Sequence, residues 1–395
     1  MTASEFWAAR GAAIHGTGPA QRAAHLEDAA AEARAAAGGQ ATCLVPLLAV
    51  TPLRITGSDR AAFLHGQLSN AVQGLAAGAC NHTLQLNTRG QVVGEGLLCV
   101  REDDVFLAVD EGLGPDVRAS LEAHIVFDDV RIEDLSDTLT ALTVQGPDAT
   151  RIVARAFGEA PEAGRSVQPS FGGSEGSGGG SAPRVLLCRR RRSLAGGVDV
   201  HLLAHQLAPA VAALEAAGAE AAGEDALELM RVLAGVPSAA REGAGGGLPQ
   251  ELGLAAAVSF GKGCYLGQEI MARIEARGAV RKGLRRLRLT PADPSVAPPD
   301  LGGRSLRAGG REVGRLGTAV SLPEGGLAAL AVVRLDLPEA AALAVADDAG
   351  ASVATAEPWP LPAEAGAPQR GADAAPGDVP APGGVQPEGP AGTEL

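Results

Sequence analysis

A chain of 395 residues with 46% hydrophobic content is long enough for two or three domains and a sizeable core. Aromatics make up 3% of it, so the core must be built mainly from Leu, Val and Ala. The formal charge of −13 argues against a general nucleic-acid coat, which needs a basic face to displace counterions from phosphate.

The N-terminal stretch "MTASEFWAARGAAIHG" lacks the basic segment and apolar stretch of a secretory signal, and no run approaches the roughly 20 apolar residues of a membrane span. "AQRAAHLEDAAAEARAAAGG" (20–39) reads as a helix stopped by Gly38 and Gly39, so 1–41 is expected to be a helical extension. From Leu53, "LRITGSDRAAFLHGQLSN" reads as a strand and then a helix capped by Ser58 or Asp59. A meander of "HTLQLN", "QVVGEGLLCV" and "VFLAVDE" follows, separated by turn clusters. Next come a helix at 115–124, the strands "VRIEDL" and "TALTVQG", and a helix from Pro147 to Phe157.

The Gly/Ser stretch 172–181 is low in complexity and reads as a flexible surface loop between "RVLLC" and the elements before it. "GVDVHLL" is a further strand, and helices are expected at 205–217 and 224–234. Beyond residue 281 come short alternating strands with Gly and Pro turns, starting at "KGLRRLRLT". They predict a small β-barrel over 281–357 after a core over 42–280. Residues 358–395 are Pro, Gly, Ala and acids, too poor in large apolar side chains to offset ordering entropy, and are expected to be a disordered tail.

Chemistry concentrates in "KGCYLGQE", residues 262–269. It holds the only tyrosine, Tyr265, and one of the only two lysines, in a chain whose other basic residues are arginine. Leu266, Ile270 and Ile274 recur at helical spacing and Gly278 is placed to end a helix, so Gly267 to Arg277 is expected to be amphipathic. Cys264 then precedes a helix N-terminus with Lys262 two residues away, and both favour a thiolate. Two readings stay open. One is a nucleophilic, redox-active or transiently metal-binding thiol, with Tyr265 and Gln268 as hydrogen-bonding groups. The other is a turn whose small Cys packs in the core beside an anchoring Tyr265.

Lys262-Gly263-Cys264-Tyr265-Leu266-Gly267-Gln268-Glu269, continued by Ala272-Arg273 and Arg277-Gly278, resembles the K-G-C-Y-x-G-Q-E signature of the YgfZ family. These are folate-binding-like proteins of iron–sulfur cluster assembly related to the glycine cleavage T protein. "ITGSDRAAFLHGQLSN", "LQLNTRGQVVGEG", "LTVQGPDA" and "LPQELGL" agree with that family's layout in order, over about 47–340. The resemblance implies an α+β fold, a T-protein-like folate-binding core with a C-terminal small β-barrel. It implies tetrahydrofolate as cofactor, and iron–sulfur proteins and cluster-assembly factors as partners, including those that thiomethylate tRNA. Cys264, with Lys262 and Tyr265, would carry the work; Glu95, Gln250, Glu251, Gln268 and Arg273 would contact the cofactor.

The alternative is a folate-dependent aminomethyltransferase or methyltransferase. T proteins carry an Asp-Asp pair where this chain has Gly94-Glu95, which makes the accessory role the first expectation. Glu95 is either the group that holds a pterin amine or an exposed strand carboxylate.

The remaining candidates read as structural. "CRRRR" (188–192) could bind phosphate, RNA or the glutamate tail of a folate but is expected first to be a solvated strand end or turn, and "GAGGGLPQE" lacks the ending of a phosphate loop. His65, His82, His124, His201 and His205 have no metal-ligand spacing. The five cysteines, Cys43, Cys80, Cys99, Cys188 and Cys264, are scattered and odd in number and form no CxxC. Neither a disulfide framework nor a stably bound metal is therefore expected, as in a reducing cytoplasm. The expectation is a cytoplasmic protein with no membrane attachment and no direct nucleic-acid partner.

Overall fold

The computed structural model describes residues 1–26, 28–171, 184–244, 246–278, 280–293, 301–338 and 341–362. Two sheets and a barrel organise it. The first sheet has the strand order Cys80–Leu86, Val92–Val100, Val105–Val109, Thr51–Thr56 and Arg131–Asp134, all antiparallel. The second runs Ser166–Val167, Leu186–Arg189, Gly197–Leu203, Leu139–Gln145, Cys43–Pro46 and Glu220–Ala221, with only the last pairing parallel.

Register decides which side chains meet. Cys80, His82 and Leu84 lie opposite Cys99, Leu97 and Glu95, so these six share one face of the first sheet. Phe106 and Ala108 join that face across the next strand. In the second sheet Cys188 lies opposite Asp199 and Leu186 opposite His201. One buried cluster holds Cys80, Leu97, Cys99, Phe106 and Ala108 together with Leu186 and Cys188, so the two faces pack on each other. The outer faces are covered by helices. Arg60–Gln67 and Gly114–Glu122 bury Phe63, Leu64, Val117 and Leu121 on the first sheet. Ala149–Phe157 and Leu207–Ala216 bury Ile152, Val153, Val211 and Leu214 on the second. The result is helix, sheet, sheet, helix.

The barrel is closed from six strands, Lys282–Pro291, Leu327–Arg334, Arg311–Ser321, Ser305–Ala308, Leu343–Ala346 and Ser352–Trp359. Closure leaves no open sheet edge. Helix Glu224–Ala234 joins barrel to core: Leu227 and Met230 pack with Leu284 and Leu330. The same helix sends Arg231 into Thr318 of the barrel at 2.6 Å.

The α+β core and barrel match the expected fold class, and local details differ. The predicted helix at 20–39 is confined to Ala29–Gly38, because Asp28 caps it by accepting from Ala31 N at 2.9 Å and Gly39 ends it at φ 66°. Before it, Arg22–Ala23 pairs with Ile14–His15 as a short ribbon, and a further helix occupies Ala3–Ala9. Trp359 belongs to the last strand, where its ring covers the guanidinium of Arg286 at 4.3 Å. The Gly/Ser loop 172–181 and residues 363–395 of the expected tail lie outside the described residues. No helix among the described residues is long and apolar enough to cross a membrane.

Candidate functional site

Where the face between the sheets stops being apolar, it opens into a cavity of about 390 Å³. Strand alternation places its walls. His82 follows Cys80 by two residues, Glu95 precedes Cys99 by four, and Arg190 follows Cys188 by two, so each points the same way as its cysteine. The other side is closed by Ser238, Gln250 and the 254–257 segment, with Leu284 from the barrel. A cavity of this size at a junction of core and barrel is in the range of small-molecule sites.

The cavity wall is a network of paired charges. Glu95 Oε1 accepts from His82 Nε2 at 2.7 Å and from Arg190 at 3.2 Å, and Oε2 accepts from Ala239 N at 2.7 Å. Arg190 also donates to Asp110 at 2.5 Å, while Arg192 bridges Asp110 at 2.7 Å and Asp199 at 2.8 Å. Burial acts to raise the Glu95 carboxyl, but the His82 hydrogen bond and the Arg190 guanidinium outweigh it and hold it below its ordinary value. Burial likewise opposes ionisation of Asp110, yet Arg190 and Arg192 bring it down to about 2. Desolvation and Arg190 push His82 down. The wall therefore presents fixed carboxylates and guanidiniums around a neutral imidazole.

Buried polar atoms of this wall without a hydrogen-bond partner among the described residues include the donor Arg190 Nη1 and the acceptor Gln250 Oε1. A buried group left unmatched costs about 1–3 kcal/mol. A ligand bearing an acceptor and a donor would satisfy both.

His201 is buried beneath this network, edge-on to Phe106 at 4.9 Å, with both ring nitrogens unpartnered among the described residues. Burial pushes it down to about 4. An unfolded histidine binds a proton below about pH 6.5, so between about 6.5 and 4 the unfolded state holds more protons and stability falls as pH falls. A His201→Leu chain is expected to lose that slope and gain about 2–3 kcal/mol on the parent at pH 4.5 relative to pH 7. Urea midpoints at the two pH values check this; parallel profiles would remove the buried neutral imidazole.

The signature segment is built on the end of helix Arg60–Gln67. Lys262 Nζ donates to the carbonyls of His65 and Leu68 at 2.5 Å and of Asn70 at 2.9 Å. These include carbonyls that a helix C-terminus leaves unbonded, where a cation is favoured. The half-buried ammonium also sits 4.8 Å from the centre of the Tyr265 ring, and burial lowers it to about 8. Tyr265 is buried with Met271 and Leu86, its hydroxyl pushed up to about 12 by burial and then by Glu275. Gly267, at φ 85°, starts helix Gln268–Arg277; a Cβ there would lie 2.8 Å from Asn87 O of the hairpin. Cys264, between these anchors, is exposed and free.

This geometry revises several sequence-based placements. Cys264 does not pack in the core, and the helix begins four residues after it, beyond the first-turn reach of a macrodipole. The ammonium of Lys262 is committed to three carbonyls. Glu95 is 6% exposed, which excludes the exposed-strand alternative. Gln250 lines the cavity with it.

Glu251, Gln268 and Arg273 are not among the described residues lining the cavity. Glu251 reaches Leu248 N at 3.4 Å in its own helix and faces a groove with Lys282 and Arg315. Arg273 pairs with Glu269 at 2.5 Å on the solvent side of the signature helix. Gln268 is half-buried at that helix's first turn. "CRRRR" is no solvated strand end either, since Arg190 and Arg192 turn into the gap where Glu95, Asp110 and Asp199 supply counter-charges. Asp110, Asp199 and His82 were invisible as a constellation because His82 and Asp199 come from strands of two different sheets and Asp110 follows the end of a third strand. The cysteines are not scattered: Cys80 and Cys99 form a disulfide, with Cys188 Sγ 3.2 Å from that of Cys99.

Comparison with known proteins gives consistent findings. Residues 5–262 match the family model of the GCVT N-terminal domain. The chain is similar to tRNA-modifying protein YgfZ of Edwardsiella ictaluri, 29% identical over 315 residues that make up 78% of this chain and 89% of that one. It is 26% identical to tRNA-modifying protein YgfZ of Yersinia pestis over 337 residues, 84% of this chain and 96% of that one. Among solved structures, glycine cleavage system aminomethyltransferase T from Bartonella henselae shares the fold at a TM-score of 0.72 and 16% identity, covering 90% of this chain and 96% of that one.

Proposed function

We propose, from the premise that this chain belongs to the GCVT N-terminal domain family, that it is a tetrahydrofolate-binding accessory protein for the assembly or repair of iron–sulfur proteins, acting through Cys264. The observation that carries the reading is a division of labour. A charged cavity that includes the unmatched donor Arg190 Nη1 and the unmatched acceptor Gln250 Oε1 lies between core and barrel, and the exposed thiol stands outside its lining. Tetrahydrofolate, when bound, supplies a carrier for one-carbon units.

The chain's own groups fit its recognition. Arg190 Nη1 donates to a carbonyl or carboxylate of the ligand and Gln250 Oε1 accepts from an amine. Glu95 uses three of its roughly four acceptor sites internally, which leaves one for a ligand amine. Cys264 offers an exposed sulfur ligand to a client's cluster or to an iron–sulfur carrier, on a segment that Lys262 and Tyr265 hold in place. The name of the relatives, tRNA-modifying protein, supports clients among enzymes that modify tRNA. A net charge of −13 favours action on those enzymes over contact with the nucleic acid.

Anaerobic calorimetric titration of tetrahydrofolate into the parent chain and a Cys264→Ser variant tests the division. Equal affinities are expected, because the thiol lies outside the cavity. Absence of binding to the parent would overturn the folate assignment. Turnover of a methylamine donor that survives loss of Cys264 and is lost with Glu95 would replace the reading with a folate-dependent transferase.

A further inference from the structure

The space between the two sheets holds a second constellation at its apolar end. Cys80, Cys99 and Cys188 come from three strands of two different sheets, and their sulfur atoms all lie within 4.8 Å of one another. All three are buried, among Leu97, Phe106 and Leu186.

We propose that these three cysteines, once reduced, form a three-thiolate site for one soft monovalent cation of the Cu(I) type, and that the Cys80–Cys99 disulfide is its oxidised, closed form. Thiolate sulfur selects soft cations. Three sulfurs bound at about 2.3 Å in a plane around an ion stand about 4 Å apart; here Cys80 and Cys99 are bonded and Cys188 Sγ lies 3.2 Å from that of Cys99, with the whole trio inside 4.8 Å, so the sulfurs must move apart once the bond is cut to take that spacing. No His, Asp or Glu among the described residues joins the group within that spread, so an ion that requires four protein ligands is not served.

The apolar surroundings exclude hard, hydrated cations. Two arginines lie near, each already ion-paired: Arg101, bonded to Asp104 at 2.5 Å, lies over the Phe106 ring at 5.5 Å, and Arg190, bonded to Glu95 and Asp110, stands two residues from Cys188.

Opening the site takes two electrons and two protons. A small dithiol supplies them and closes to its own disulfide, leaving Cys80 and Cys99 as thiols. The cation then displaces the thiol protons to solvent.

The experiment uses the full chain with Cys264→Ser, which removes the exposed thiol, reduced with dithiothreitol, desalted anaerobically and titrated with Cu(I) held as its bicinchoninate complex. The reduced chain is expected to withdraw one equivalent, and the unreduced chain none. Adding Cys188→Ser is expected to weaken uptake by more than the roughly 10–100-fold that an indirect neighbour of a ligand costs. Adding Cys43→Ser is expected to change nothing. No uptake by the reduced chain, equal uptake by the unreduced chain, or unchanged uptake without Cys188 would overturn the site. Should the Cys188 variant fail to fold, X-ray absorption at the copper edge of the loaded Cys264→Ser chain decides. Three sulfur neighbours support the site, and a shell of two sulfurs or of nitrogen and oxygen overturns it.

Discussion

Replacing Glu95 with Ala is expected to weaken tetrahydrofolate binding by about thirtyfold or more, in line with the 2–5 kcal/mol that truncating one partner of a buried charge pair costs a complex. The same change is expected to lower folding stability by about 3–5 kcal/mol. Both effects have one origin. Glu95 is 6% exposed and takes three hydrogen bonds, so its loss leaves Ala239 N and His82 Nε2 without their acceptor and Arg190 with one counter-charge in place of two. Against the 5–15 kcal/mol that holds a typical domain, this is a large fraction.

Glu95→Gln separates the two effects. The amide oxygen still accepts one hydrogen bond, so most of the stability should return, whereas its NH₂ faces Arg190 and His82 and the negative charge is gone. Urea midpoints and calorimetric titration on both variants check this. A Glu95→Ala chain with the parent's midpoint and the parent's affinity would remove Glu95 from the centre of the site.

Local patterns were legible in the sequence, and convergence was not. The helix Gln268–Arg277 followed from apolar residues every four positions and from glycines at both ends, which encode φ values of 85° and 67° locally. The barrel followed from alternation, as in Leu287 and Leu289, buried in the barrel core, with exposed Arg288 between them. Cys264 and Lys262 stood out because the chain otherwise avoids their neighbours' residue types, yet the carbonyls that Lys262 holds lie 192 to 197 residues away.

Arg190 and Arg192 looked like a solvated basic run because their counter-charges are 80 to 95 residues earlier for Glu95 and Asp110. The cysteine trio was hidden for the same reason, since spacing along the chain carries no information about which faces two sheets press together. Parity supplies the missing link. Once the sheets are known to pack face to face, alternation alone puts Cys80 with His82, Cys99 with Glu95, and Cys188 with Arg190.

Cys264→Ser is expected to do the opposite of Glu95→Ala: it should leave the molecule standing and stop its work. The side chain is exposed and no described contact depends on it, so stability should stay within about 0.5 kcal/mol of the parent. Its neighbours keep their positions independently. Lys262 remains tied to three carbonyls and Tyr265 remains buried beside Met271. What disappears is an exposed soft sulfur donor able to bind iron, which a serine hydroxyl cannot replace.

In a strain lacking the protein, the variant is therefore expected to restore no more [4Fe–4S] enzyme activity than an empty vector, while the purified variant binds tetrahydrofolate as the parent does. Activity of a cluster enzyme that thiomethylates tRNA, measured beside a urea midpoint, gives the two readings together. Full rescue by the serine variant would move the working centre from the signature segment to the cavity, and the exposed thiol would then be only the surface of a well-anchored turn.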